Sequence, residues 1–162
     1  MKKNYPLLLI FFLFLSNLFW SQVSGKVVGI KDGDTVVVLL DGNIQKTLRL
    51  AEVDCPESSQ AFGKNAKQFT SGQIFGKTIS FIETDTDRYG RTIAKIYYDN
   101  KYLSAEIIKA GYGWWFYQYS NDKSLGELQN LAMNAKLGLW QDPNAISPWE
   151  FRKQKREANF TN

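Results

Sequence analysis

The stretch Thr35-Val36-Val37-Val38-Leu39-Leu40-Asp41-Gly42-Asn43-Ile44-Gln45-Lys46-Thr47-Leu48-Arg49-Leu50 reads as two β-strands joined by a tight turn. Its first six residues are rich in β-branched side chains, which fit a pleated surface. Asp41-Gly42-Asn43 supplies residues that tolerate left-handed backbone, a strong hairpin signal. From Ile44 the chain alternates. Ile44, Lys46, Leu48 and Leu50 share one face, and Gln45, Thr47 and Arg49 share the other.

Residues 23–30, just upstream, form another β-rich run and enter this hairpin through Lys31-Asp32-Gly33-Asp34. Downstream, residues 58–75 change to a helical period, with Phe62, Ala66 and Phe69 on one face. Residues 78–83 and 91–98 read as two more strands around a polar connection. Residues 104–110 form a short helix stopped by Gly111. Residues 121–137 form a longer one, with Ser124-x-x-Glu127 as a capping box and Gly138 as its end. The fold class is therefore α+β, mainly β. Five short strands with early hairpins predict a small closed barrel of OB-fold type with about three helices packed on it.

The chain has 162 residues, enough for one domain with a real core. It contains no histidine, which excludes histidine general bases, Ser-His-Asp and Cys-His triads, and imidazole zinc sites. Cys55 is the single cysteine, so no disulfide is expected, and it reads as a half-buried spectator. Any metal site must then use oxygen ligands, which favour hard cations: calcium, magnesium or manganese.

At the N-terminus, Lys2 and Lys3 precede an apolar run from Leu7 to Trp20, followed by Ser21, Gln22 and Ser24. Residues 1–21 read as a secretory signal, and the expected destination is extracellular or periplasmic. An uncleaved anchor is the alternative, although the run is short for a membrane span of about 20 residues. Removing residues 1–21 leaves 18 basic against 16 acidic residues. A pI near 9.1 for the whole chain is thus weak support for a polyanionic partner. Residues 22–150 make the domain. Residues 151–162, with Arg152, Lys153, Lys155 and Arg156, read as a solvated basic tail.

Acidic and basic groups gather at strand ends. Asp32 and Asp34 flank Gly33 before the second strand; Asp54 and Glu57 bracket Cys55-Pro56 after the third. A hairpin between these strands brings Asp34 near Asp54. Two neighbouring carboxylates repel unless a proton or cation sits between them, and a divalent ion resolves the conflict. Arg49 lies in the third strand and Arg91 opens the fifth. A guanidinium fork matches phosphate oxygens, and fixed cations lower the barrier to phosphodiester hydrolysis. Taken singly, each of these motifs is an ordinary turn or ion pair. The run Trp114-Trp115-Phe116-Tyr117-Gln118-Tyr119 is read mainly as core. Alternation sends Trp115, Tyr117 and Tyr119 one way, and Tyr117 is the best candidate for a pocket wall.

Together, Asp32-Gly33-Asp34-Thr35, Arg49-Leu50-Ala51-Glu52-Val53-Asp54-Cys55-Pro56-Glu57 and Asp87-Arg88-Tyr89-Gly90-Arg91 closely resemble the staphylococcal nuclease (thermonuclease) family, in order and spacing. The resemblance runs from about Val27 to Trp140. Gly138-Leu139-Trp140 and Pro148-Trp149-Glu150-Phe151-Arg152 also look like bacterial members. It implies a calcium-dependent nuclease cutting DNA and RNA to leave 3′-phosphate ends. It implies Asp34, Asp54 and the backbone carbonyl of Cys55 as calcium ligands, with Glu57 activating water. Arg49 and Arg91 match the phosphate-binding arginines. Arg88, Tyr89 and Tyr117 resemble substrate contacts. No obligate protein partner is implied, and a monomer is expected. One departure stands out: the family archetype has a long lysine-rich loop after the glutamate, whereas Glu57 here is followed at once by Ser58-Ser59-Gln60-Ala61-Phe62-Gly63. The balance of endo- and exonucleolytic cutting is open at this point. The rival readings are a non-catalytic nucleic-acid-binding module on the same barrel and a surface-anchored interaction protein.

Overall fold

The computed structural model describes residues 22–160; the signal reading of residues 1–21 lies outside them. The first three strands fold as expected. β1 (Val23–Asp32), β2 (Thr35–Leu40) and β3 (Ile44–Leu50) form an antiparallel meander. Its second turn is tight because Gly42 and Asn43 take φ of 72° and 64°, and Leu40 pairs directly with Ile44. A short β4 (Val53–Asp54) follows.

The first helix, α1 (Gly63–Ile74), begins five residues later than its periodicity predicts. Residues 58–62 turn instead, and Phe62 adopts a left-handed φ of 63°. Gly63 explains the entry: a Cβ there would stand 1.9 Å from the carbonyl oxygen of Glu57. The helix can start only where the backbone comes that close to Glu57.

β5 (Thr78–Thr86) pairs with β1, and β6 (Thr92–Tyr98) returns along β5. The barrel closes where β6 runs parallel to β3, with Leu48 opposite Thr92 and Leu50 opposite Ala94. The result is a closed five-stranded barrel, order β3-β2-β1-β5-β6, carrying four helices. This is the expected mainly-β α+β fold. The interior is filled by Val36, Val38, Leu48, Leu50, Phe81, Ala94 and Ile96, all buried. Each large side chain of this kind is worth about 1.5–3 kcal/mol when removed from water.

A two-residue β7 (Lys101–Tyr102) leads into α2 (Leu103–Lys109), whose Leu103, Ile107 and Ile108 close one side of the core. Then β8 (Trp114–Trp115) pairs with β4, placing Asp54 opposite Trp114. The expected alternation of the aromatic run stops there. Residues 117–119 form a 3-10 turn, so Tyr117 and Tyr119 are exposed while Trp114, Trp115 and Phe116 are half-buried. In α3 (Lys123–Asn134) the cap is Asp122, whose side chain accepts from the Ser124 amide; Ser124 is not itself the cap.

The C-terminal segment differs most from its reading as a tail. Residues 148–160 form α4 (Pro148–Phe160), and the expected boundary at residue 150 falls inside it. Ser147 and Glu150 make a reciprocal capping box: the Ser147 hydroxyl and amide both donate to the Glu150 carboxylate, and the Glu150 amide donates to the Ser147 hydroxyl. Trp149 stacks on Phe116 with ring centres 5.6 Å apart, which pins the first turn to the body. Lys153, Lys155 and Arg156 are exposed, as a solvated charge run should be.

Candidate active site

The turn between β1 and β2 and the exit of β3 lie side by side, because the Leu50 amide donates to the Asp34 carbonyl at 2.8 Å. Two acids separated by twenty positions therefore meet. One guanidinium nitrogen, Nη2 of Arg49, lies 3.2 Å from Asp34 Oδ2 and 2.9 Å from Asp54 Oδ1. Its neighbour, Nη1, donates to the carbonyls of Leu50 and Val53 at 2.6 and 2.8 Å. Arg49 is thus locked to the backbone as well as to both carboxylates. Burial alone would lower its pKa; the charges of Asp34 and Asp54 overcome that and hold it above the ordinary arginine value.

Asp34 is held from three further directions. The Cys55 amide donates to Oδ2 at 2.8 Å and the Thr35 hydroxyl donates to Oδ1 at 3.1 Å. Its own amide donates to Asp32 Oδ1 at 3.2 Å. Asp54 is 1% exposed, and burial raises its pKa even though Arg152 and Arg49 pull the other way. Asp32 is pushed up to about 6, by burial first and then by the charge of Asp34. Both shifts come first from burial, with the neighbouring charge of Asp34 adding to it.

Arg91 joins from the turn that leads into β6, the strand paired with β3. The turn before β6 is built on Asp87, whose Oδ1 accepts from the amides of Tyr89 and Arg91. Its Oδ2 accepts from Arg91 Nε at 2.7 Å. Burial nudges the Asp87 carboxyl upward, but these hydrogen bonds from Arg91 and Tyr89 leave it below its ordinary value. Arg91 Nη1 reaches the Thr35 hydroxyl at 3.3 Å. Thr35 thus touches Arg91 on one side and Asp34 on the other.

The last member comes from α4. Arg152 Nη2 donates to Asp54 Oδ2 at 2.7 Å, and Nη1 donates to Glu57 Oε1 at 2.8 Å. One continuous chain of polar contacts therefore runs Arg91, Thr35, Asp34, Arg49, Asp54, Arg152, Glu57. The sequence-predicted Asp34, Arg49, Asp54, Glu57 and Arg91 all belong to it. Arg152, Thr35 and Asp32 were not among the predicted site residues. Arg152 had a usable signal: Ser147-Pro148-x-Glu150 is a helix start with proline at the first position, so residue 152 falls one turn in.

The substrate-contact candidates sit around this chain. The Tyr89 ring is 69% exposed, with the guanidinium carbons of Arg88 and Arg91 at 4.9 and 5.6 Å from its centre. Tyr117 stands edge-on to Trp149, three residues before Arg152 on α4. Cys55 is fully buried, not half-buried, beneath Gly33 and Gly113. Burial, then Asp34, drives its thiol well above the ordinary range, so it stays protonated and is no nucleophile.

The donor set fits a hard divalent cation. Asp32, Asp34, Asp54 and Glu57 outnumber the guanidinium groups of Arg49 and Arg152 that face them, and every side-chain donor is oxygen. Among the described residues no three His, Cys, Asp or Glu side chains form a ready-made cage, so a cation bound here would need further ligands from backbone carbonyls and water.

The model of the staphylococcal nuclease homologue family matches residues 47–142, more than half of the chain. The chain belongs to the staphylococcal nuclease family. The match begins after Asp34; geometry is what joins that acid to the matched residues. A Haemophilus influenzae protein named an uncharacterized endonuclease is 38% identical over 149 residues, covering 92% of this chain and 84% of that protein. A Shigella flexneri micrococcal nuclease is 35% identical, over 86% of each chain. An Arabidopsis thaliana staphylococcal-like nuclease is 34% identical over 69% of this chain and 35% of its own length. Within the family frame, the short segment after Glu57 is notable, because α4 stands against it.

Proposed function

We propose that this chain is a calcium-dependent nuclease that hydrolyses phosphodiester bonds of DNA and RNA with little sequence preference and leaves 3′-phosphate ends. The observation that carries the reading is the chain of contacts from Arg91 through Thr35, Asp34, Arg49 and Asp54 to Glu57. It gathers Arg49, Arg91, Asp34, Asp54 and Glu57 at one end of the barrel, with Arg152 as the link from Asp54 to Glu57. Family membership supports the same chemistry.

In this reading Asp34, Asp54 and the Cys55 carbonyl hold the cation, which when bound polarises the phosphate. Glu57, its side chain 41% exposed, accepts the proton as water attacks phosphorus. Arg49 and Arg91 hold the charge that builds on the equatorial oxygens. The bond from phosphorus to the 5′-oxygen breaks, Arg91 assists that oxygen as it leaves, and the phosphate stays on the 3′ side. Arg88, Tyr89 and Tyr117 present cationic and aromatic faces to the neighbouring nucleotides.

End-group analysis of products, with calcium and with chelator, tests this. The expected result is 3′-phosphate ends with calcium and no cutting with chelator. Ends bearing 3′-hydroxyl, or equal cutting under both conditions, would overturn it.

A further inference from the structure

We propose that the C-terminal helix α4 is a working part of the active site, and that Arg152 is a positioning residue that holds Glu57 over the acidic centre. The proposal rests on the reading of Glu57 as the group that takes the proton from water.

Glu57 lies on a short loop with 41% of its side chain exposed. A carboxylate in that setting samples many rotamers, and losing that freedom costs free energy each time it must act. General-base catalysis needs the opposite: a carboxylate kept within hydrogen-bond reach of one water. The loop backbone has its own turn bonds, from the Gln60 amide to the Glu57 carbonyl and from the Gly63 amide to the Gln60 carbonyl. Neither restrains the Glu57 carboxylate. Arg152 does, with Nη1 at 2.8 Å from Oε1.

The same guanidinium grips a fixed anchor. Its Nη2 lies 2.7 Å from Asp54 Oδ2, and its Nη1 lies 3.4 Å from Asp54 Oδ1. Asp54 is 1% exposed and already tied to Arg49. A planar, rigid guanidinium bonded to both acids fixes their relative position, as a flexible ammonium cannot. Both terminal nitrogens of Arg152 bond carboxylates, which ties Glu57 to Asp54.

A second, independent tie joins the same two segments. Gln60 Nε2 donates to the Ile146 carbonyl at 2.8 Å, just before the Ser147 cap of α4. The helix itself is secured by that cap and by Trp149 on Phe116, neither of which needs Arg152. This chain braces its glutamate with α4.

The test compares the full-length parent with Arg152→Ala, Arg152→Lys and, as a control at an exposed position one turn further along α4, Arg156→Ala. Amide hydrogen exchange over residues 56–62, read without substrate, should be about tenfold faster in Arg152→Ala relative to exchange in β5, a reference needed because losing a partner of the buried Asp54 also lowers overall stability. In turnover, kcat should fall about 10–100-fold while KM stays within about twofold. Arg152→Lys should recover part of both losses, and Arg156→Ala should match the parent. Unchanged exchange over 56–62 overturns the proposal. So does a raised KM at constant kcat, which would make Arg152 a phosphate contact. Should Arg152→Ala fail to fold, Arg152→Lys alone decides, by parent-like or altered values of the same quantities. If Glu57→Gln cuts as fast as the parent, the reading of Glu57 fails while the exchange result still stands.

Discussion

Arg49 and Arg91 are proposed for the same phosphate-binding role yet are held in opposite ways. Arg49 is 12% exposed in its side chain and bonded to Asp54 and two backbone carbonyls close by in sequence and to Asp34, a partner it meets only once β2 and β3 have paired. Arg91 is 35% exposed and clamped by Asp87, four residues before it on one surface turn. The first is an arginine built into the fold; the second is attached to it. Fold stability and chemistry are therefore fused at Arg49 and separable at Arg91.

The strongest challenge to that contrast is Arg49→Ala. It leaves Asp34 and Asp54 close together with a missing countercharge. Cutting should fall about 10²–10³-fold, and denaturant unfolding should show a loss of about 3 kcal/mol, the cost of breaking a buried pair. A variant as stable as the parent would erase the distinction. Next comes Arg91→Ala, for which kcat should drop about 10²-fold while the melting temperature moves by no more than about 2 °C. A large drop in melting temperature would place Arg91 in the same class as Arg49.

The smallest effect sharpens the Arg49 side. Asp32 has its folded-state pKa near 6, above its ordinary 3.8, so the folded protein binds that proton more tightly than the unfolded chain. Ionising it weakens the fold progressively between those two values, and the penalty is complete above the upper one. Without metal, Asp32→Asn should raise the melting temperature by a few degrees at pH 8 and leave it unchanged below pH 4. Thermal melts in chelator across that range decide it, and an equal effect at both ends would remove titration as the cause.

Most of the barrel is legible in local pattern. The Asp41-Gly42-Asn43 turn and the alternation after it fix the register of β2 on β3, and that register carries Asp34 to Asp54. What pattern misses is non-local. The apolar period over residues 58–75 predicts helix, but the close approach of Gly63 to Glu57 delays its start. The aromatic run alternates on paper and breaks into a 3-10 turn, because only Trp114 and Trp115 have a strand to pair with. Arg152 reads as tail because its charge run is solvated everywhere except at that one side chain, whose partners lie 95 and 98 positions away.

The parallel seam between β3 and β6 has a kinetic consequence. It joins residues 44 positions apart, and the β1–β5 ladder joins residues 52 to 58 apart, in a barrel otherwise made of neighbouring hairpins. Both long-range pairings carry a loop-closure cost that the hairpins do not. Arg49 lies within the β3–β6 seam and Arg91 immediately before it. A refolding chain therefore recovers the signal of its local hairpins before it recovers catalytic competence, because Arg91 meets Thr35 only once β6 lies beside β3.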